Sequence, residues 1–368
     1  MNDLINYIDS KEIKIIAEKI FCNNRIDPEE GLLLYKEADL ALLGILASAV
    51  RRRKNGNKVF YNHNFHIEPT NKCVYNCRFC SYHKHEGDPE SWEYSHEEML
   101  DIVRKFDNKP VTEVHIVGGV HPSYDLSYWA ALIKMIKTHR PSIHLKAFSA
   151  IELDYMFGKS GYSAEEGFNI LKAAGLDSIP GGGAEIFDEE LRKTICPEKA
   201  SSARWIQIHE AAHNAGIPSN ATMLYGHIET YMHRIDHMER LRQLQDRTRG
   251  FNAFIPLKYR KENNSMSYLG EVSLLEDLRN YAMSRIYLDN FPHIKAYWPM
   301  IGKEGAQLSI SFGADDMDGT IDDTTRIYSM AGSDKNPAMS TSELCSMIKQ
   351  AGYSPVERDS LYNAIDVR

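Results

Sequence analysis

Two kinds of hydrophobic pattern alternate along the chain from about residue 60 onward. Short apolar segments predict buried strands, and longer segments with apolar residues every three or four positions predict amphipathic helices. The predicted strands are Phe65–Ile67, Glu113–Val117, His144–Phe148, Asp177–Ile179, Asn220–Leu224, Phe251–Ile255, Ile294–Tyr297 and Leu308–Phe312. The predicted helices are Ser95–Phe106, Leu126–Thr138, Ala164–Ala174, Ala203–Ala215, Tyr231–Leu244, Leu274–Asp289 and Thr341–Ala351.

The first 60 residues show only the helical pattern. Ser10 is placed to cap a helix that runs through Phe21, and Pro28–Arg52 repeats apolar residues at helical spacing. Eight strands alternating with helices predict an α/β fold, a (β/α)8 TIM-type barrel, and an incomplete barrel remains open. We therefore expect an N-terminal helical extension over 1–60, a barrel over 61–325, and a C-terminal helical tail over 326–368 packed on the barrel.

Composition narrows the class of protein. Apolar residues make up 43% and charged residues 26%, as in ordinary globular proteins. The net charge of −8 lacks the basic excess typical of nucleic-acid binders. No apolar stretch reaches the roughly 20 residues that span a bilayer, and the chain start lacks the apolar core of a secretory leader. We expect a cytoplasmic protein with neither a nucleic-acid nor a membrane partner.

Three of the six cysteines lie within eight residues, Cys73, Cys77 and Cys80, in the pattern C-x3-C-x2-C. Three thiolates this close can converge on one inorganic centre. A structural zinc site is closed by four ligands, so His66, His83 or His85 would have to supply the fourth. An electron-transfer iron–sulfur cluster also takes four cysteines, so three leave one iron open. Spacing alone leaves both centres open.

The C-x3-C-x2-C spacing, with Phe79 before the last cysteine, resembles the signature of the radical S-adenosylmethionine (SAM) superfamily. The resemblance implies that Cys73, Cys77 and Cys80 bind a [4Fe–4S] cluster. It further implies that SAM chelates the open iron through its amino and carboxylate groups. An electron from an external low-potential donor then breaks the sulfonium C–S bond and yields a 5′-deoxyadenosyl radical.

The chemically distinctive residues follow the predicted strands in order, as expected for the loops at the C-terminal face of a barrel. Gly118-Gly119 resembles the family motif whose backbone accepts the SAM amino group, although Val120 replaces the usual acidic residue. Glu185 is the candidate for the ribose hydroxyls, with Ser149 and Glu152 as competitors. The candidate SAM contacts are Phe79, Gly118, Gly119, Ser149, Glu152, Glu185, Met223 and Leu224. Helix capping by Glu152, and core packing by Met223 and Leu224, remain alternatives.

A narrower resemblance covers most of the chain. The segment 66–71 is similar to menaquinone-pathway and deazaflavin-pathway enzymes of the superfamily, and Ile179–Lys199, Asn220–Thr230 and Phe312–Thr325 are most similar to the aminofutalosine synthase family. That resemblance implies addition of the 5′-deoxyadenosyl radical to 3-[(1-carboxyvinyl)oxy]benzoate. Aryl migration and decarboxylation would then give 6-amino-6-deoxyfutalosine for menaquinone biosynthesis, with SAM consumed. The alternatives are a dehypoxanthine futalosine cyclase and a deazaflavin-precursor synthase.

Such a substrate is an anionic aromatic molecule with two carboxylates that need hydrogen-bond donors. A charge-assisted pair to arginine would be the strongest of these contacts. The candidate substrate contacts are His66, Glu68, Asn71, Thr222, His227, Lys258 and Arg260. A solvated basic loop remains the alternative for Lys258 and Arg260.

One motif points to a different class of enzyme. His209-Glu210-x-x-His213 matches the H-E-x-x-H pattern of zinc metalloproteases, which places two histidines one helical turn apart. The apolar stripe of the same helix, through Trp205 and Ile208, instead favours an outer barrel helix with its histidines on the flank. We therefore keep a metalloprotease only as a distant alternative.

Overall fold

The computed structural model describes residues 8–321, 326–333 and 338–365. Three helices precede the first strand: α1 (Lys11–Phe21), α2 (Pro28–Glu37) and α3 (Leu40–Asn55). The Ser10 hydroxyl caps α1, as predicted, by accepting a hydrogen bond from the Ile13 N–H at 3.3 Å. The helical pattern over Pro28–Arg52 corresponds to two helices, because Ala38 has an extended backbone and Asp39 caps the start of a new helix.

Parallel strands alternate with helices along the rest of the described chain. The strands are β1 (Lys58–Ile67), β2 (Glu113–Ile116), β3 (His144–Ala147), β4 (Ser219–Tyr225), β5 (Phe251–Lys258), β6 (His293–Ile294), β7 (Asp316–Ile321) and β8 (Ser354–Glu357). The helices are α4 (His96–Arg104), α5 (Leu126–His139), α6 (Ala150–Ser160), α7 (Ala164–Ala174), α8 (Glu189–Ile195), α9 (Ser202–Asn214), α10 (Tyr231–Thr248), α11 (Leu274–Tyr287), α12 (Trp298–Ile301), α13 (Lys303–Ser311), α14 (Ile327–Met330) and α15 (Thr341–Gln350). A 3₁₀ turn, Ser267–Leu269, lies between β5 and α11.

The strands form two parallel sheets in the orders β3-β2-β1-β7 and β4-β5-β6. Isolated parallel bridges join the sheets at both seams, and the segment Ser178–Ile179 stands between β3 and β4. The bridges are Lys146–Ser178, Ile179–Ser219 and Lys295–Asp316. The pairing therefore passes through eight parallel segments, and the predicted TIM-type barrel is confirmed.

The last predicted strand, Leu308–Phe312, is wrong. Residues 308–311 belong to helix α13, in which Ala306 and Ile310 are buried at helical spacing. The strand at this position is β7, which carries Asp316 and Asp318. This strand was not predicted, because it carries charged residues. In the folded chain Arg358 pairs with Asp316, and Lys295 pairs with Asp318.

The tail that was predicted to be helical contains α14, α15 and also strand β8. Strand β8 pairs in parallel with residues Lys58–Tyr61 at the start of β1. The predicted boundary at residue 325 and the chain start, residues 1–7, lie outside the described residues. Within the described ranges, none of the helices combines the length and apolarity that a bilayer crossing requires.

Successive residues of the strands alternate between the barrel interior and the surrounding helices. On β2, Val114 and Ile116 are fully buried in the apolar core. Glu113, His115 and Val117 instead line a central cavity. The outer faces of the strands thus hold the helices, and the inner faces carry polar side chains.

Candidate active site

A cavity of about 270 Å³ occupies the barrel and opens among the loops that follow the strands. These loops are where barrel enzymes carry their chemistry. The predicted site residues that line the cavity are Cys73, Cys77, Phe79, Cys80, Gly118, Gly119, Ser149, Glu152, Glu185 and Thr222. The structure therefore brings the cysteine loop, the glycine pair and three candidate ribose contacts to one space.

The cysteine loop follows β1 and is fixed by backbone hydrogen bonds, including Arg78 N to Ile195 O at 2.9 Å. Cys77 is buried, and Cys73 and Cys80 are half-buried. Backbone N–H groups donate to the Cys73 sulfur from Tyr75 at 3.5 Å and from Val120 at 3.4 Å. Burial raises the pKa of all three thiols.

The arrangement of the donors distinguishes a cluster from a single metal ion. Among residues 8–321, 326–333 and 338–365, no three Cys, His, Asp or Glu side chains are close enough to hold one metal ion. A zinc site needs four ligands around one ion, whereas a [4Fe–4S] cluster spreads its thiolates over different irons. His83 is engaged through both ring nitrogens, with Cys80 O at 3.1 Å and Asn76 Oδ1 at 2.9 Å. Three thiols on one cavity fit a [4Fe–4S] cluster, and His83 is already engaged with other partners.

The glycine pair joins the end of β2 to the segment that leads into Cys73. The Gly119 N–H donates to Thr70 O at 2.7 Å. A Cβ atom added to Gly119 would lie 2.3 Å from Lys72 O, and one added to Gly118 would lie 2.8 Å from Thr70 O. Only residues without a side chain allow this close approach of two backbones.

Ser149 and Glu152 begin helix α6, and they do so as a reciprocal cap. The Glu152 N–H donates to Ser149 Oγ at 3.4 Å, and the Ser149 N–H donates to Glu152 Oε2 at 2.7 Å. Glu152 Oε1 also accepts the Gly118 N–H at 3.3 Å. Burial raises the pKa of Glu152 to about 7. The helix-cap alternative is thus observed, although both residues line the cavity.

Glu185 lies after the segment Ser178–Ile179 with a left-handed backbone, φ +52°. Its Oε1 accepts a hydrogen bond from Lys199 Nζ at 2.7 Å, and its carbonyl oxygen accepts the Leu224 N–H at 2.7 Å. The Lys199 ammonium lies 5.2 Å from the centre of the Phe79 ring. Sequence reasoning missed Lys199, because no motif marks a lysine fourteen residues after its carboxylate partner.

Several predicted residues lie outside the cavity lining. They are His66, Glu68, Asn71, Met223, Leu224, His227, Lys258 and Arg260. Met223 is fully buried in the apolar core with Leu224, as the alternative interpretation expects. His66 packs against the ring of His115, which does line the cavity, with 4.8 Å between ring centres.

The polar residues of this group have partners elsewhere. Lys258 Nζ lies 2.8 Å from Asp277 Oδ2, and Arg260 lies 3.1 Å from Glu271. His227 Nδ1 lies 3.3 Å from a carboxylate oxygen of Glu229. The Asn71 carboxamide accepts the Trp92 N–H at 2.8 Å, and Glu68 accepts the N–H groups of Arg326 and Ile327 at 2.9 and 3.1 Å. The basic residues Lys258 and Arg260 therefore form ion pairs between elements of the fold, and they do not line the cavity.

The inner end of the cavity carries charged residues that the sequence reasoning did not select. Lys146 Nζ lies 2.6 Å from Glu113 Oε2, and Lys295 Nζ lies 2.5 Å from Asp318 Oδ1. His115 lines the same space. The available signal was the presence of charged residues within short predicted strands, such as Lys146 in His144–Phe148 and Lys295 in Ile294–Tyr297.

The two histidines of the H-E-x-x-H motif belong to α9, and both side chains contact Ser219 at the start of β4. His209 Nδ1 and His213 Nε2 share the Ser219 hydroxyl at 2.8 and 2.7 Å, and His213 Nδ1 contacts Thr248 Oγ1 at 2.7 Å. Glu210 pairs with Arg247 at 3.0 Å. These contacts give the histidines a packing role on an outer barrel helix.

Two family models match this chain, and several known proteins are similar to it over most of its length. Residues 67–241 match the family described as the radical SAM superfamily, and residues 248–368 match the CofH/MqnC C-terminal region. The chain is 42% identical to an aminodeoxyfutalosine synthase of Thermus thermophilus, covering 96% of this chain and 95% of that protein. It is 38% identical to an aminodeoxyfutalosine synthase of Streptomyces coelicolor, covering 95% and 93%. A cyclic dehypoxanthine futalosine synthase of Streptomyces coelicolor is 36% identical, covering 98% and 90%.

Solved structures resemble the fold at low sequence identity. The FeFe-hydrogenase maturase HydG superposes with a TM-score of 0.76 at 18% identity, covering 96% of this chain and 78% of that one. Methylornithine synthase, PylB, superposes with a TM-score of 0.73 at 16% identity, covering 92% and 97%. These likenesses concern the fold alone.

Proposed function

The chain belongs to the radical SAM superfamily, and from that premise we propose that it acts as an aminodeoxyfutalosine synthase. The observation that carries the proposal is near full-length similarity to two synthases, at higher identity than to the cyclic dehypoxanthine futalosine synthase. The enzyme is a C–C bond-forming transferase of menaquinone biosynthesis with a [4Fe–4S] cluster, and SAM is its co-substrate. Its other substrate is 3-[(1-carboxyvinyl)oxy]benzoate, and its product is 6-amino-6-deoxyfutalosine.

Cys73, Cys77 and Cys80 hold the cluster in this proposal. When bound, the cluster supplies the electron that cleaves SAM to the 5′-deoxyadenosyl radical. The chain contributes three thiols on one cavity, with N–H groups of Tyr75 and Val120 donating to Cys73. Hydrogen bonds to cluster sulfurs are among the factors that set cluster potentials. An external low-potential donor supplies the electron.

The glycine pair and Glu185 hold SAM. Gly118 and Gly119 present backbone beside the cysteine loop, where the amino group of SAM would bind. Glu185 accepts the ribose hydroxyls, as carboxylates do in nucleoside sites. Lys199 positions Glu185 through their 2.7 Å hydrogen bond, and Phe79 contacts adenine. Ser149 remains a second candidate for the ribose, because its hydroxyl caps α6 at the cavity wall.

The cavity wall favours radical addition over side reactions. Ile151, Ile255 and Leu257 line it with apolar surface beside the polar inner end. Apolar surface around the alkene reduces contact with water and holds the alkene near the 5′ carbon, so orientation supplies much of the rate. We place the reaction in the cytoplasm, where reducing conditions keep cysteines from forming disulfides.

The sister reaction supplies the test. Reconstituted protein is incubated anaerobically with SAM, reductant and either the enolpyruvyl benzoate or dehypoxanthine futalosine. We expect an adenosyl-containing adduct from the first substrate and no cyclised product from the second. Turnover of dehypoxanthine futalosine alone would replace the proposal with the cyclase function.

A further inference from the structure

Charged side chains form a layer inside the barrel, at the inner end of the cavity. Barrel interiors are usually filled by branched apolar residues. Here β2, β3, the segment after β6, and β7 contribute charges that are almost completely buried. Their exposed fractions are 1% for Glu113, 3% for Lys146, 3% for Lys295 and 4% for Asp318. Buried ion pairs are often less stabilising than apolar residues of the same volume, so this layer needs an explanation other than stability.

The two lysines have donors to spare. An ammonium group carries three N–H donors. Within the described residues, Lys146 uses one of them on Glu113, and Lys295 uses one on Asp318 and lies 3.9 Å from Asp316. The paired carboxylates fix both ammonium groups at the cavity wall. The remaining donors are available to an acceptor that enters the cavity.

Neutral polar groups complete the layer. His115 Nε2 is buried and has no hydrogen-bond partner within the described residues. Burial lowers the pKa of His115 far below its ordinary value, so the imidazole is neutral and can donate from one nitrogen. Asn220 is 3% exposed and lines the same cavity from β4 with a carboxamide. The layer thus holds an unpartnered buried nitrogen, an amide and two paired ammonium groups that keep N–H donors, which suits a ligand that accepts hydrogen bonds.

The layer lies well below the cysteine loop. His115 lies within β2, three residues before Gly118, and three residues of chain span at most roughly 10 Å. The apolar residues Ile255 and Leu257 line the cavity that contains both levels. A planar aromatic ring between these levels would direct one end to the glycine pair and the other to the charged layer.

We propose that this layer binds the ring carboxylate of the substrate. Lys146 and Lys295 are the charged donors, and His115 and Asn220 are the neutral ones. The inference rests on the proposed function, because that function supplies an aromatic substrate with a carboxylate away from its reacting alkene. The layer thereby determines specificity, since it selects a benzoate over an unsubstituted phenyl ring.

The test compares two substrates in matched variants. The probes are the enolpyruvyl benzoate and 2-phenoxyacrylate, which lacks only the ring carboxylate. The variant E113Q/K146M removes both members of one pair, so no uncompensated buried charge remains. The control K137M/D177N removes a partly exposed lysine–carboxylate pair that lies outside the cavity lining, with 2.6 Å between its atoms. A second variant, H115F, keeps the aromatic volume and loses the nitrogen.

For the wild type and the control, we expect kcat/KM to fall about 10- to 100-fold when the ring carboxylate is removed. In E113Q/K146M the same comparison should give only a few-fold difference, because one of the two charged donors is lost. In H115F, which keeps both lysines and loses one neutral donor, the difference should be several-fold smaller than in the wild type. SAM affinity should be unchanged in both variants. The inference would be overturned if either folded variant kept the wild-type ratio of kcat/KM between the two probes. Equal kcat/KM for the two probes in the wild type would overturn it as well. H115F decides the question if the double variant does not fold. Absence of an adduct from both probes in the wild type would instead remove the proposed function, and the inference with it.

Discussion

Lys199 Nζ lies 2.7 Å from Glu185 Oε1, and both residues line the same cavity as the three cysteines. The two side chains are only 13% and 10% exposed. A buried carboxylate with a fixed cation keeps one orientation and retains free lone pairs for a ligand. The ion pair therefore prepares Glu185 to accept ribose hydroxyls before SAM binds.

Removal of the Glu185 carboxylate should weaken SAM binding. We expect E185A to raise the Kd of SAM by about 10-fold, the effect of losing hydrogen bonds to a charged group. Equilibrium binding of SAM to reconstituted protein measures this change. E190A is the control, since Glu190 lies on the surface and pairs with Lys193. An unchanged Kd in E185A would refute the ribose role.

Each cysteine of the loop should be needed for the cluster. C73A, C77A and C80A should each lose the visible absorbance of the reconstituted cluster and all activity. C196A is the control, because Cys196 is a buried cysteine outside the cavity lining. If C196A lost the absorbance while C77A retained it, the ligand assignment would be wrong.

The glycine pair should tolerate no side chain. G119A places a Cβ 2.3 Å from Lys72 O, so we expect a loss of about 1 to 3 kcal/mol in unfolding free energy. We also expect poor cluster reconstitution, because the Thr70–Lys72 backbone leads into Cys73. G158A is the matched control, since Gly158 lies in α6 with open space around it. That variant should be slightly stabilised by helix propensity. Equal thermal stability of G119A and the wild type would contradict the steric argument.

The pKa of Glu152 should make stability depend on pH. Burial raises this pKa from 4.5 to about 7, so the folded chain holds the proton more tightly than the unfolded chain. The unfolding free energy should therefore fall as pH rises between those two values, by up to about 3 kcal/mol. E152Q keeps the helix cap and should lack this part of the pH dependence. Identical denaturant curves against pH for both proteins would disprove it.

Hydrophobic periodicity predicted strands and helices well where the buried positions of a segment followed one regular pattern. Strand Asn220–Leu224 lies within β4, and helix Ala164–Ala174 has the predicted bounds. Helix α6 was not predicted, although Ser149 and Glu152 form its N-terminal cap. Both residues were interpreted as SAM contacts on a loop that follows a strand. A capping pattern and a binding loop share the same residue types.

The inner cavity shows why part of the site escaped prediction. Lys146 and Asp318 lie in strands, and their charges are offset by partners 33 and 23 residues away. No local pattern indicates such pairs, because the barrel brings them together through strand order. Lys258, the last residue of β5, looked available for a substrate for the same reason, since its partner Asp277 is brought to it only in the folded chain.

The most direct test of the central claim follows the adenosyl carbons. SAM labelled with ¹³C in its adenosyl group is incubated anaerobically with the reduced protein and the enolpyruvyl benzoate, and the products are analysed by mass spectrometry. The account predicts that the label appears in 6-amino-6-deoxyfutalosine, with only minor free 5′-deoxyadenosine. Label recovered solely as 5′-deoxyadenosine, with no adduct, would contradict radical addition and indicate a hydrogen-abstracting relative.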